Sequence, residues 1–132
     1  MQHNRVVHPN DRVYFLGDVT FHKRELPILS RMNGRKVLIK GNHDTLDLKD
    51  YVEYFDDIRA VHQFKGFIMS HIPIHPDSLG RWGHNIHGHL HANKVCIPNT
   101  KIPDSRYFNV SMEQLDDHTP ISLEEIKSIA KI

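Results

Sequence analysis

Three short apolar runs in this chain each end in a tight polar cluster. Residues 13–16 run into Gly17-Asp18, residues 37–39 lead through Lys40 into Gly41-Asn42-His43-Asp44, and residues 85–87 open into His87-Gly88-His89-Leu90-His91. A run of strand-forming residues closed by glycine reads as a buried strand ending in a sharp turn. Strands of that kind with a helical segment between them build an α/β sheet whose loops gather at the strands' carboxyl ends. The first two clusters are therefore expected to be neighbours in space.

The rest of the chain fits this frame. Residues 22–32 carry a helical stripe of Leu26, Leu29 and Met32, with Pro27 near the first turn, and stop at Asn33-Gly34. A second helix is expected over residues 46–55. Residues 58–64 and 67–69 read as a hairpin across Lys65-Gly66, whose second arm ends at Ser70-His71. Residues 73–83 hold two prolines and two glycines and form a loop. Brief strands follow over 85–87, 94–97 and 106–110. Ser122-Leu123-Glu124-Glu125 is a capping box that opens a last helix to about Ile129.

With 132 residues, no repeat and no composition break, the chain reads as one domain over 1–132. Seventeen basic against sixteen acidic residues leave a net charge of +1, so no strong field draws nucleic acid or membrane. No apolar run approaches membrane-spanning length and no secretory h-region opens the chain. A lone cysteine, Cys96, excludes an internal disulfide and reads as a small buried hydrophobe; a cytoplasmic location is expected. Twelve histidines are the one excess, and they thicken between positions 62 and 91, which favours metal or proton chemistry.

Carboxylate, amide and imidazole groups at strand ends are costly to desolvate unless a cation pairs with them. Asp18 offers two oxygens and a full charge, as a bridging ligand needs, and Asn42 a neutral carbonyl oxygen. His71, His89 and His91 supply nitrogens suited to Zn, Fe, Mn or Ni, and the mixed set argues against Ca or Mg alone. His43, followed by Asp44 as an orienting carboxylate, suits a catalytic acid. Asp44 is also placed to cap a following helix. His87 reads as a structural histidine or a support for the ligands, and His62 and His118 as surface residues. Arg81 and Trp82, in the loop flanked by His75 and His84, are candidates for holding substrate, the arginine on phosphate and the tryptophan stacked on a base.

In order and spelling, Gly17-Asp18, Gly41-Asn42-His43-Asp44, the isolated His71 and Gly88-His89-Leu90-His91 resemble the motifs of calcineurin-like metallophosphoesterases. Asn109-Val110-Ser111-Met112-Glu113 resembles the small bacterial and bacteriophage members. The resemblance covers about residues 5–130. It implies an α/β two-sheet sandwich flanked by helices and two divalent metal ions, Mn first, with Fe, Zn, Ni or Mg as alternatives. Asp18 would bridge the ions, Asn42, His71 and His89 would complete one, and His91 would belong to the other.

The family's opening Asp-x-His motif does not occur in this sequence, and His3 is a poor substitute. The expectation is therefore an N-terminally truncated domain that lacks its first strand and part of its second metal site. The implied function is hydrolysis of a phosphodiester or phosphomonoester, nucleotides included, by metal-activated hydroxide, with His43 assisting the leaving oxygen. The competing expectation is a non-catalytic metal-binding or partner-binding domain. In that case the open edge beside residues 13–16 would take another copy or a partner chain.

Overall fold

The structure, a computed structural model, describes residues 2–19, 22–115 and 119–132; His118 lies outside them. A short helix, α1 (Gln2–Val6), precedes strand β1 (Arg12–Phe15), a 3-10 helix (Lys23–Arg31), β2 (Arg35–Ile39), α2 (Leu48–Tyr51) and β3 (Asp57–Arg59). Then come β4 (Val61–Phe64), β5 (Phe67–Ser70), a second 3-10 helix (Pro76–Arg81), β6 (Asn85–His87), β7 (Tyr107–Asn109), a third 3-10 helix (Met112–Gln114) and α3 (Leu123–Ala130). The strands form two open sheets. One is parallel, in the order β1-β2-β3; the other has the order β4-β5-β6-β7, antiparallel only between β4 and β5. The architecture is mixed α/β.

Register explains the two cores. Phe15, Leu38 and Ile58 are aligned across the first sheet and share a face, against which the 3-10 helix sets Leu26 and Leu29, and the α2 region sets Tyr51 and Phe55. Tyr14 and Leu16 alternate to the opposite side of β1, where they join Phe67, Met69, Ile86 and Ile126 of the second core. Strand β1 thus belongs to both cores, because successive side chains of a strand point to opposite faces. It is also an edge strand, and Val13, Tyr14 and Phe15 are only half-buried, whereas Val37, Leu38 and Ile39 of its neighbour are buried.

Several elements depart from expectation, each for a local reason. The segment carrying Leu26, Leu29 and Met32 is a 3-10 helix with Pro27 inside it. A repeat of three is the period of that helix, and proline has no N–H to give to an α-helical ladder. The expected helix over 46–55 shrinks to the single turn Leu48–Tyr51. Its N-cap, Asp47, makes no side-chain cap bond, and the segment is held by the burial of Tyr51 and Phe55. The hairpin across Lys65-Gly66 forms, with Gly66 at φ +93°, but its first arm, expected from residue 58, starts only after Ala60, and Ile58 and Arg59 join Asp57 in β3 of the other sheet. In place of a strand over 94–97 there is one bridge, Cys96 with Pro103, in a segment where Pro98 and Pro103 remove ladder donors. Cys96 is half-buried, not buried.

The last helix forms as expected, with the Ser122 hydroxyl accepting the Glu125 N–H at 3.1 Å. Among the described residues no helix is long and apolar enough to cross a membrane.

Candidate metal centre

The first two clusters meet at the carboxyl ends of adjacent parallel strands. Gly17 stands at φ +94°, and a Cβ there would lie 2.7 Å from the Gly41 Cα; a Cβ on Gly41 would lie 2.6 Å from the Asp18 amide nitrogen. Only glycine at both positions lets the two backbones touch. Asp44 fastens the contact. Its Oδ2 accepts the N–H groups of Asp18 and Gly41, both at 2.8 Å, and its Oδ1 accepts that of Val19 at 2.9 Å. The carboxylate expected to orient His43 is thus directed at three backbone amides, and it caps no helix. His43 has an exposed side chain, and its backbone N–H donates to Asp18 Oδ1 at 2.9 Å.

His71, at the end of β5 and 5% exposed, brings the second sheet to the same point. Its Nδ1 donates to the Leu16 carbonyl at 2.6 Å, an oxygen that can only accept, so the tautomer is set and Nε2 faces the cluster. Nε2 lies 2.8 Å from Asn42 Oδ1, 3.2 Å from Asp18 Oδ2 and 3.2 Å from His89 Nδ1. Asp18, His71 and His89 each present a ligand atom within 4.8 Å of the others. Four side chains, one from beyond each of β1, β2, β5 and β6 and so from both sheets, therefore aim lone pairs at one small volume, and a single added cation satisfies such a set, either a proton on His71 Nε2 or a metal ion. The mixed oxygen and nitrogen donors fit a divalent transition metal.

Backbone conformation marks the same place. Of the five non-glycine residues with positive φ among those described, Asp18 (55°), His89 (67°) and His91 (54°) fall on these clusters. Each such conformation costs on the order of 1–3 kcal/mol and persists only where the surroundings enforce it.

Not every expected residue converges. His91 is outside the set: its exposed ring places Nδ1 3.1 Å from Glu113 Oε1. Trp82 donates its indole N–H to Gln63 Oε1 at 3.1 Å, and the Arg81 guanidinium lies 6.0 Å from the Trp82 ring centre, so these two engage each other and β4. His62, expected at the surface, is half-buried between the rings of Tyr14 and Phe64. His87 is fully buried, donates Nδ1 to the Gly88 carbonyl, and has its pKa pushed down chiefly by burial. His3 is structural: Nε2 bonds to the Asn33 carbonyl and the ring stacks on Phe15.

Asn109 is a structural element of the site that its residue type does not announce. Its amide donates to the carbonyls of His91 and Asn93 and its oxygen accepts the Ser111 N–H, which clamps the loop that carries His89. A lone asparagine at the end of a three-residue strand carries no signal for that role.

The fold and this cluster define a mixed α/β protein with a histidine–carboxylate centre at the carboxyl ends of its strands. No family model matches the chain. Over 127 residues it is 34% identical to the uncharacterized protein MJ1445 of Methanocaldococcus jannaschii, a match that spans 93% of this chain and 68% of that protein. The chain belongs to the family of that protein. It is also similar, at 30% identity and a TM-score of 0.70, to a crystal structure from Aquifex aeolicus described as the protein of unknown function AQ665, covering 97% of this chain and 81% of that one.

Proposed function

We propose that this chain is a metal-dependent phosphoesterase of the calcineurin-like kind, its two sheets corresponding to that family's sandwich. The observation that carries the reading is the convergence on His71 Nε2 of Asn42 Oδ1, Asp18 Oδ2 and His89 Nδ1, with the His71 tautomer set from behind by the Leu16 carbonyl. Asp18, Asn42, His71 and His89 would hold the ion, with Mn the first choice for a mixed nitrogen and oxygen set. A bound divalent ion supplies Lewis acidity to a phosphoryl oxygen and makes a water acidic enough to act near neutral pH. Asp44 keeps the Asp18 and Gly41 loops in register, so Asp18 does not have to be ordered when substrate arrives. His43, anchored through its backbone to Asp18, would give an imidazolium proton to the departing ester oxygen.

The test is hydrolysis with Mn of a diester whose leaving group is an alkoxide, thymidylyl-(3′→5′)-thymidine, comparing the chain with His43→Ala. A drop of about 100-fold or more is expected from the loss of a general acid. Equal rates would remove His43 from the chemistry.

A second reading is favoured by the position of His91, held by Glu113 outside the cluster. Here the centre binds one ion without turnover, and the half-buried edge of β1 takes another strand. One ion per chain, no hydrolysis of the diester and a concentration-dependent dimer would support it over the enzyme.

A further inference from the structure

A groove of about 1170 Å³ opens beside the candidate centre, and Asn42 and His71 belong to both. Small-molecule sites commonly measure about 300–1,000 Å³, so it has room for more than a phosphate. Three large aliphatic residues from different elements line it and stay open to solvent. Leu48, at the start of α2, is 54% exposed; Val61, at the start of β4, is 40% exposed; and Ile72, just past β5, is 53% exposed. Single exposed aliphatic residues are ordinary, but several around one concavity mark apolar surface that a ligand covers.

The wall that carries Ile72 is fixed from behind. Ser70 Oγ donates to the Ile72 carbonyl at 2.6 Å, Asn85 Oδ1 accepts the Ile74 N–H at 3.0 Å, and the Tyr107 hydroxyl donates to the Ile74 carbonyl at 2.7 Å. Ser70 and Asn85 are themselves buried, and Asn85 Nδ2 donates to Ser70 Oγ at 3.0 Å. A buried polar layer thus holds residues 72–74 in place, and a wall already in place costs little ordering when a ligand arrives.

The polar groups of the groove are largely engaged within the protein. Both Asp44 oxygens accept backbone amides, the Ser70 hydroxyl is given to Ile72, His75 Nδ1 accepts the Asp77 N–H, and Arg59 is ion-paired with Asp57. A sugar or a base buried here would lose its water without gaining directed partners, whereas a hydrocarbon loses nothing. Arg81 and Trp82, expected to hold phosphate and base, do not line this groove.

We infer that the groove takes an aliphatic ester group of a phosphate bound at the centre, so that the substrate is a phosphoester of an apolar alcohol. The inference deepens the phosphoesterase reading and rests on it for the phosphate, but not for the hydrocarbon.

The experiment is calorimetric titration, with and without Mn, using methylphosphonate and hexylphosphonate, whose carbon–phosphorus bonds resist hydrolysis. The wild-type chain is compared with Leu48→Ser/Ile72→Ser and with Ile129→Ser, a control altered at an exposed residue outside the groove. Circular dichroism checks that each variant keeps its fold. Hexylphosphonate is expected to bind the wild-type chain and the control about tenfold or more tighter than methylphosphonate. The double variant should lose that preference while its methylphosphonate affinity and Mn uptake stay the same. Equal affinity of the wild-type chain for the two ligands, or a preference that survives in the double variant, overturns the inference; if Mn is still taken up, the metal reading stands without it. A wild-type dimer in sedimentation that the double variant dissolves, with no preference for the hexyl group, gives the groove to a second copy and overturns the inference as well. If the chain takes up no Mn but keeps a hexyl preference that the double variant loses, the metal reading falls and the groove stands.

Discussion

Asp44 holds Asp18 by its backbone: the Asp18 N–H lies 2.8 Å from Asp44 Oδ2, and the same oxygen takes the Gly41 N–H, so one buried carboxylate fixes two loops that come from different strands. Asp18 in turn accepts the His43 N–H at Oδ1. The two aspartates form a cross-brace in which the position of either loop depends on the other. Buried groups of this kind are costly to leave half-satisfied.

Asparagine at position 44 is expected to be poorly tolerated. Asp44 accepts through both oxygens, whereas asparagine offers one oxygen and turns an NH₂ group toward a backbone N–H. Asp44→Asn should lower stability by about 2–4 kcal/mol, the range for a buried network deprived of an acceptor. Urea titration of the two chains measures this. A loss below about 1 kcal/mol would mean that the loops are held together by something else.

Metal binding, if the cluster performs it, must appear as stability. A ligand that binds only the folded chain at 100 times its Kd adds about 2.7 kcal/mol, which for a domain of this size is on the order of 10 °C in Tm. Thermal unfolding with Mn and with a chelator should differ by that amount. His89→Gly should abolish the difference; glycine is chosen because position 89 stands at φ 67°, where alanine would add strain of its own. A Mn-induced shift that survives in His89→Gly would falsify the assignment of this imidazole as a ligand.

How far the sequence predicts this structure depends on how local the cause is. Gly17 and Gly41 end their strands because the two backbones must touch there, and a glycine after an apolar run is visible in the sequence. Ser122 and Glu125 are equally plain, since the cap and its partner are three residues apart. The passage from β3 to β4 is not. Ile58, His62 and Phe64 continue one strand-like pattern, and only pairing with β2 on one side of Ala60 and with β5 on the other divides it.

The site divides in the same way. Asp18, Asn42, His71 and His89 carry metal-competent groups whatever their surroundings, so their residue types alone suggest a site. The task of Asp44 is not legible in the sequence, because it depends on the distance of its carboxyl oxygens from backbone amides 25 and 26 residues away. The buried polar face of the second sheet was equally hidden. There Asn85 donates to the Ile68 carbonyl and the Ser70 hydroxyl and accepts the Ile74 N–H, and its fully buried position follows from the loop folded over it.

His62 should make stability depend on pH. Its ring lies 4.5 Å from that of Phe64 and 5.1 Å from that of Tyr14, and its Nδ1 is buried without a hydrogen-bond partner. Burial first, then the charges of Arg59 and Arg12, depress its pKa below the ordinary 6.5, against a smaller opposing pull from Asp57. Above about pH 6.5 the histidine is neutral in both folded and unfolded chains, and its contribution is constant. Between that value and the lower folded pKa the unfolded chain binds the extra proton, so stability falls as pH falls, by at most about 1.4 kcal/mol per pH unit for one group. His87, also depressed by burial, adds a fall of the same sign. His62→Phe keeps a ring between Tyr14 and Phe64 and removes the proton, so denaturation midpoints followed from pH 7.5 to 5 should fall less steeply in the variant than in the wild type. Parallel profiles would show that His62 binds its proton equally well in the folded and unfolded chains.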